Sequence, residues 1–287
     1  MRWRRRRKAD ALPASLGVEV AGFSHRGLVR LINEDAWVAS FVETVPRVAL
    51  VAVADGMGGH AGGEQASSLA IAALLEVVRH GQSDPDLEAQ LAEGFTAANQ
   101  RIFGLPDAAR RPGTTLTAAL VREGQYVIGH LGDTRAYLIS AVRILQITED
   151  HSWVAEQVRL GLLQPEEALT SPHRSRLLRV LGTQPVVEPA FYRGTLEPAD
   201  TLLLCSDGLW ESVGPLEVSA TIQETASLEE GVRRLIDRAL ARSGDDNITV
   251  AAVRQGGQAR PRSPALVQQA RAPTPVPGSR IPPVEEP

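Results

Sequence analysis

The chain is poor in sulfur and in aromatic rings: one cysteine (Cys205), two methionines and 4% Phe, Trp and Tyr. A single thiol excludes an intrachain disulfide and any zinc site built from several thiolates. Cys205 is followed six residues on by Glu211, not Arg, so a cysteine-based phosphate loop is excluded, and Cys205 reads as a small buried apolar residue. No Gly-Lys-Ser/Thr is present, which removes a Walker phosphate loop, and no Gly-x-Ser-x-Gly elbow exists. No apolar run approaches about 18 residues, so no membrane span is expected. Basic charge is not in excess either: 30 Lys and Arg against 34 Asp and Glu give a net charge of −4. Six of those bases fall in residues 1–8, and residues 9–255 carry a net −12. Such a body is not expected to bind nucleic acid.

What is present is length and apolar content. At 287 residues and 43% apolar, the chain can bury one large core with tails. Residues 1–15 read as a disordered basic arm, 16–255 as the domain, and 256–287, with eight of the 19 prolines, as a disordered Pro-rich tail. Asp10, Pro13 and Glu19 interrupt what would be the apolar core of a signal peptide, so a cytoplasmic protein is expected.

Within the domain, strands are predicted over 18–23, 36–41, 48–54, 114–121, 126–131, 135–140, 143–147, 190–195, 201–206 and 248–253. Helical spacing marks 66–78, 86–103 and a long helix from Ser227, with a capping box to Glu230, ending at Gly244. A Gly-rich loop is expected over 55–63, and a partly irregular helical stretch over 152–181. Strands come in blocks that can pair as hairpins, with helices in separate blocks. That argues for an α+β fold with antiparallel sheets.

One local pattern recurs. The apolar run 48–54 ends in Asp55-Gly56, the run 201–206 ends in Asp207-Gly208, and Asp245-Asp246 precedes the strand at 248. Two readings fit. Asp-Gly at a strand end makes a turn. Alternatively, several carboxylates beside buried neighbours need a compensating cation, and oxygen donors alone suit Mg²⁺ or Mn²⁺. The acid pair Glu34-Asp35 adds weight to the second. Gly56-Met-Gly-Gly-His-Ala61 also fits a dinucleotide fingerprint, but the acid 20 residues on, Glu76, lies inside a helical stretch, and no second βαβ unit follows.

Taken in order, the motifs resemble the metal-dependent Ser/Thr protein phosphatases, the PP2C or PPM family, in their bacterial branch. The segments are 27–35 (GLVRLINED), 53–63 (VADGMGGHAGG), 113–117 (GTTLT), 132–137 (GDTRAY), 148–152 (TEDHS), 204–210 (LCSDGLW) and 244–250 (GDDNITV). Together they span about residues 17–253. The resemblance implies an αββα sandwich of two antiparallel sheets flanked by helices. It implies two ions, Mn²⁺ or Mg²⁺: Asp55 bridging both, the Gly56 carbonyl on one, Asp207 and Asp246 on the other, and Glu34 and Asp35 holding metal-bound waters. Asp133 matches a third, weaker metal position, or is a turn acid before a strand. Arg30 matches the phosphate-clamping arginine. Its planar fork suits a phosphate, with a surface ion pair as the plainer alternative.

The implied reaction is in-line attack of metal-activated hydroxide on phosphoserine or phosphothreonine of protein substrates, opposing a bacterial Ser/Thr kinase. Where animal members carry a His after the metal-site Asp-Gly, this chain has Met57. Leaving-group protonation therefore falls to His60, to a metal-bound water or to solvent. Residues 152–178, with Arg159, Pro165, Arg174 and Arg176, match a flap beside the site, or are plain scaffold. Two other functions are carried alongside: a non-catalytic binding module, and a phosphatase dedicated to one stress-response partner. A monomer is the default state.

Overall fold

The computed structural model describes residues 17–42, 47–58, 61–81, 86–106 and 111–257. Most of the expected arm and tail, together with His60, lies outside the described residues.

Among the described residues, eleven strands form two antiparallel sheets. One sheet has the order β1 (Glu19–His25), β11 (Ile248–Arg254), β10 (Thr201–Cys205), β7 (Arg135–Ser140), β8 (Arg143–Gln146). The other runs β2 (Asp35–Val42), β3 (Val48–Met57), β5 (Leu116–Arg122), β6 (Gln125–Leu131), β9 (Ala190–Thr195), with the short β4 (Gly113–Thr114) on the end of β3.

Strand alternation builds the layers. Along β3, Ala49, Val51 and Val53 face β10 and β11 through the inter-sheet core, with Leu202, Leu204, Ala251 and Val253 opposite. Leu50, Ala52 and Ala54 point the other way, to α1 (Ala61–His80) and α2 (Leu87–Phe103). A strand apolar at every position is thus one buried on both faces. On the far side, Leu203, Cys205, Val250 and Ala252 pack against α7 (Leu228–Arg242) through Val232, Leu235, Ile236 and Ala239. The order helix–sheet–sheet–helix is the expected αββα sandwich. Cys205 faces its own helix layer, and burial pushes its thiol pKa up.

Several boundaries differ from the sequence reading. β3 continues through Asp55 to Met57, so the Gly-rich loop is shorter than expected. The strand expected at 114–121 is broken at Thr115, whose N–H and hydroxyl both turn to Asp55 instead of the ladder. α5 (Asp207–Trp210) and α6 (Pro215–Gln223) were not expected; α6 starts with Pro215 at its first turn, where the missing N–H costs nothing. The stretch 152–181 resolves into α3 (Trp153–Arg159) and α4 (Pro165–Thr170). At α7, the Ser227 hydroxyl accepts from Glu230 N, whereas the Glu230 carboxylate turns to Arg234.

Candidate active site

The carboxylates meet where the two sheets open at one end. Asp35 and Asp55 are cross-strand partners on β2 and β3. Asp207 opens α5 at the end of β10. Asp246 precedes β11, and Asp133 sits in the turn that carries the chain from β6 in one sheet to β7 in the other.

Each is held by neighbours that charge patterning does not reveal. Asp55 N donates to Thr115 Oγ1 (2.9 Å), while its carbonyl accepts from Thr115 N and Thr114 Oγ1 (2.9 Å each). Gly56 N donates to Glu34 O at 3.1 Å; a Cβ on Gly56 would run into the carbonyls of Gly63 and Glu34, so only glycine fits. Asp35 is buried, and Ser206 Oγ, from the other sheet, donates to its Oδ2 at 2.8 Å. Ser206 Oγ in turn accepts from Thr249 N at 3.0 Å.

Asn247 ties the two loops beside them. Its Nδ2 donates to Arg26 O (2.8 Å) and Ile32 O (3.0 Å), and its Oδ1 accepts from Glu34 N (2.7 Å). Asp246 Oδ1 accepts from Asn247 N, and Asp246 Oδ2 meets Arg30 Nη2 at 2.6 Å. Asp245 is exposed.

The third-position acid has its own brace. Trp210 Nε1 donates to Asp133 O (3.1 Å), and His151 N donates to Gly132 O (2.7 Å). Arg135 lies over the Trp210 ring at 3.6 Å and makes a forked pair with Asp150 (Nη2–Oδ2 2.7 Å). The 148–152 motif therefore serves the Asp133 turn. Leu178 N bonds His151 O and Trp153 N bonds Arg176 O, so the same segment closes the base of the 152–178 excursion.

The electrostatics are those of a site short of positive charge. Burial raises the Asp55 pKa well above the carboxylate range, and Asp35, Asp207, Asp133 and Asp246 raise it further. Burial does the same to Asp207, helped by Asp133, Asp246 and Asp35. Asp35 is pushed up to about 6, by burial and against the hydrogen bonds from Thr249 and Ser206. Asp133 is pushed up to about 7, by burial and then by Asp150. Asp35 Oδ1 is buried without a hydrogen-bond partner.

Oxygen donors that force protons onto one another, one of them left with a buried unpaired oxygen, fit a hard divalent cation. Among the described residues no three His, Cys, Asp or Glu side chains already close around one ion. Asp246 has both oxygens engaged, Oδ1 with Asn247 N and Oδ2 with Arg30, and Asp35 has one engaged, with Ser206. A site completed largely by water suits that geometry. The structure brings together Arg30, Glu34, Asp35, Asp55, Asp207 and Asp246, as mutual charge effects and bonds attest, with Asp133 adjoining through Asp207.

A sandwich with acids massed at the mouth between its sheets is the frame of a metal-dependent hydrolase. The Protein phosphatase 2C family profile matches residues 22–248. The chain is 36% identical over 234 residues to the serine/threonine phosphatase stp of Listeria welshimeri, covering 79% of this chain and 92% of that one. It is 39% identical over 240 residues to the serine/threonine protein phosphatase PstP of Mycobacterium tuberculosis, covering 82% of this chain and 45% of PstP. Among solved structures, the M. tuberculosis phosphatase PstP/Ppp superposes with a TM-score of 0.74 at 37% identity, over 83% of this chain and 99% of that one. The PstP catalytic domain in complex with two manganese ions gives 0.73 at 36% identity, over 84% and 99%. The chain belongs to the protein phosphatase 2C family.

Proposed function

We propose that the protein hydrolyses phosphoserine and phosphothreonine on protein substrates in a reaction that depends on Mn²⁺ or Mg²⁺, and that it opposes a bacterial Ser/Thr kinase. The observation that carries this is the set of carboxylates gathered at the sheet mouth, where burial and then neighbouring acids raise the pKa of Asp55 and Asp207, with Arg30 paired to Asp246 beside them. Asp55, the Gly56 carbonyl, Asp207 and Asp246 would hold two ions, with Glu34 and Asp35 on their waters and Asp133 at a third, weaker site. When bound, such ions make water acidic enough to supply hydroxide near neutral pH and offset charge on the phosphoryl oxygens.

The chain's own residues do the rest. Arg30 presents a planar fork from a pinned loop and would hold two phosphoryl oxygens. Thr114 and Thr115 fix the Asp55 backbone, and Ser206 fixes one Asp35 oxygen while the other is left buried and without a hydrogen bond. The single thiol, Cys205, is buried on the helix side of β10, which supports water as the nucleophile and no phosphoenzyme. His60 lies outside the described residues, and we propose water as the proton donor to the leaving alkoxide.

We take the domain as residues 16–255, acting as a monomer in the cytoplasm. No helix among the described residues is long and apolar enough to cross a membrane.

The test is phosphate release from a phosphothreonine peptide, with and without Mn²⁺, for the wild type and Asp207→Asn. Metal-dependent release that the substitution abolishes is expected. Absence of release from folded, Mn²⁺-loaded wild type would overturn the reading in favour of a binding module.

A further inference from the structure

The loop between β1 and β2 surrounds Arg30 with apolar side chains turned to solvent. Leu28 is 64% exposed, Val29 65% and Leu31 88%. Single exposed apolar residues are ordinary on a protein surface. Here three of four consecutive residues are apolar and exposed, and the fourth is the cationic residue of the site.

The display is not slackness. Leu28 N donates to Gly244 O at 2.7 Å, and Arg26 Nη1 donates to Leu31 O at 3.1 Å. Asn247 holds Arg26 O and Ile32 O, one on each side. Gly27, at φ 81°, passes so close to Asp246 O that a Cβ would collide. The loop is fastened at both ends and across its middle, and in that fastened state Val29 and Leu31 point away from the protein.

We infer that Val29 and Leu31 read the residues beside the phosphoamino acid, so that the protein favours phosphoprotein segments with an apolar side chain next to phosphoserine or phosphothreonine. The inference rests on the reading of Arg30 as the phosphate clamp. An extended peptide advances about 3.3 Å per residue, and Val29 and Leu31 stand one residue to either side of Arg30. A phosphate held at Arg30 would thus leave the adjoining substrate side chains within reach of the exposed Val29 or Leu31. An apolar neighbour gains by leaving water there. A charged one would give up hydration against apolar surface, and an acidic one would also face Asp246, Glu34 and Asp207, whose charges act on Arg30.

The test uses two phosphothreonine peptides that differ only in carrying Leu or Ser on both sides of the phosphothreonine. With the full chain and Mn²⁺, kcat/KM is expected to favour the Leu peptide about tenfold, as two shallow apolar contacts allow. Leu31→Ser and Val29→Ser should each cut that ratio to about threefold, and the double variant should bring it close to one. Both side chains are exposed, so neither substitution removes a core contact. Equal kcat/KM for the two peptides in the wild type overturns the inference while leaving the phosphatase reading intact. So does a ratio that survives in the double variant.

If neither peptide is turned over, fluorescence anisotropy of each with the wild-type chain decides: tighter binding of the Leu peptide, lost in the double variant, supports the inference. Equal or absent binding ends it. Light scattering supplies a further check, since a wild-type dimer that Leu31→Ser disperses would assign the patch to a second copy of this chain.

Discussion

Arg30 and Asp246 hold each other across 216 residues of sequence, guanidinium Nη2 to carboxylate Oδ2 at 2.6 Å. One is the residue expected to grip phosphate and the other a residue expected to grip metal, and in this structure each occupies the other. Removing Arg30 should therefore have two effects of opposite sign. Arg30→Ala should lower kcat/KM roughly 10–100-fold, with Arg30→Lys recovering little because an ammonium lacks the fork. The same Arg30→Ala should bind Mn²⁺ more tightly, roughly threefold given solvent screening, because Asp246 is released and a cation is gone. Calorimetric titration of Mn²⁺ measures the second effect without turnover; weaker Mn²⁺ binding would refute it.

The carboxylate cluster makes the metal-free protein sensitive to rising pH. The folded pKa values of Asp35, at about 6, and Asp133, at about 7, lie above the ordinary value near 4, and Asp55 and Asp207 lie well above it. Raised folded pKa values mean that the folded state holds protons that the unfolded chain has released. Stability from this source is complete below about pH 4 and falls as pH rises through 6 and 7. At pH 8 without metal, Asp207→Asn should melt about 5 °C above the wild type, and saturating Mn²⁺ should erase or reverse the difference. Differential scanning fluorimetry at pH 8, with chelator and then with Mn²⁺, reads both.

Two buried histidines work in the other direction. His130 Nε2 lies 3.0 Å from Glu149 O and Nδ1 2.8 Å from Thr117 Oγ1, and the His151 ring stacks at 4.7 Å. Burial lowers the His130 pKa to about 4, and that of His151 falls well below its usual range. Depressed folded values mean stability that is present above pH 6.5 and lost as pH falls from there towards 4. Nitrogen-15 NMR should show His130 neutral at pH 5.5 as the Nε2–H tautomer, since a carbonyl must receive a proton from Nε2. A protonated His130 at that pH would contradict this.

Arg135 is the keystone of the Asp133 turn. It is shared between a forked bond to Asp150 and the face of Trp210, and the ion pair is largely withdrawn from solvent. Asp150→Ala leaves that guanidinium without its anion and should cost about 3 kcal/mol in urea unfolding. Trp210→Phe keeps the stacking but removes the Nε1 bond to Asp133 O, and should cost about 1 kcal/mol. A smaller loss for Asp150→Ala than for Trp210→Phe would show that the pair is not what holds the turn.

The layers were legible because β3 and β10 are apolar at successive positions, a pattern that only double-sided burial explains. The site was legible where an acid follows such a run, as at Asp55 and Asp207, since charge beside buried strand is costly unless used. Asn247, Ser206, Thr114 and Thr115 lie inside the quoted motifs, but their bracing roles were not legible. Amides and hydroxyls are common, and their partners lie far off in sequence; Ser206 and Asp35 are separated by 171 residues. α6 was missed because Pro215 reads as a breaker until it is seen at the helix start. The role of the 148–152 motif emerged only with its wrapping of Gly132 and Asp133.

Asn247 grips carbonyls at Arg26 and Ile32 and the amide of Glu34 with one side chain. The spacing between those three points is therefore fixed to the residue. Inserting or deleting even one residue between 26 and 34 would pull a contact off its anchor, although the segment is a surface loop of the kind that usually tolerates changes in length. Diversity among relatives should thus enter this loop through side-chain identity, at positions such as 29 and 31, and not through its length.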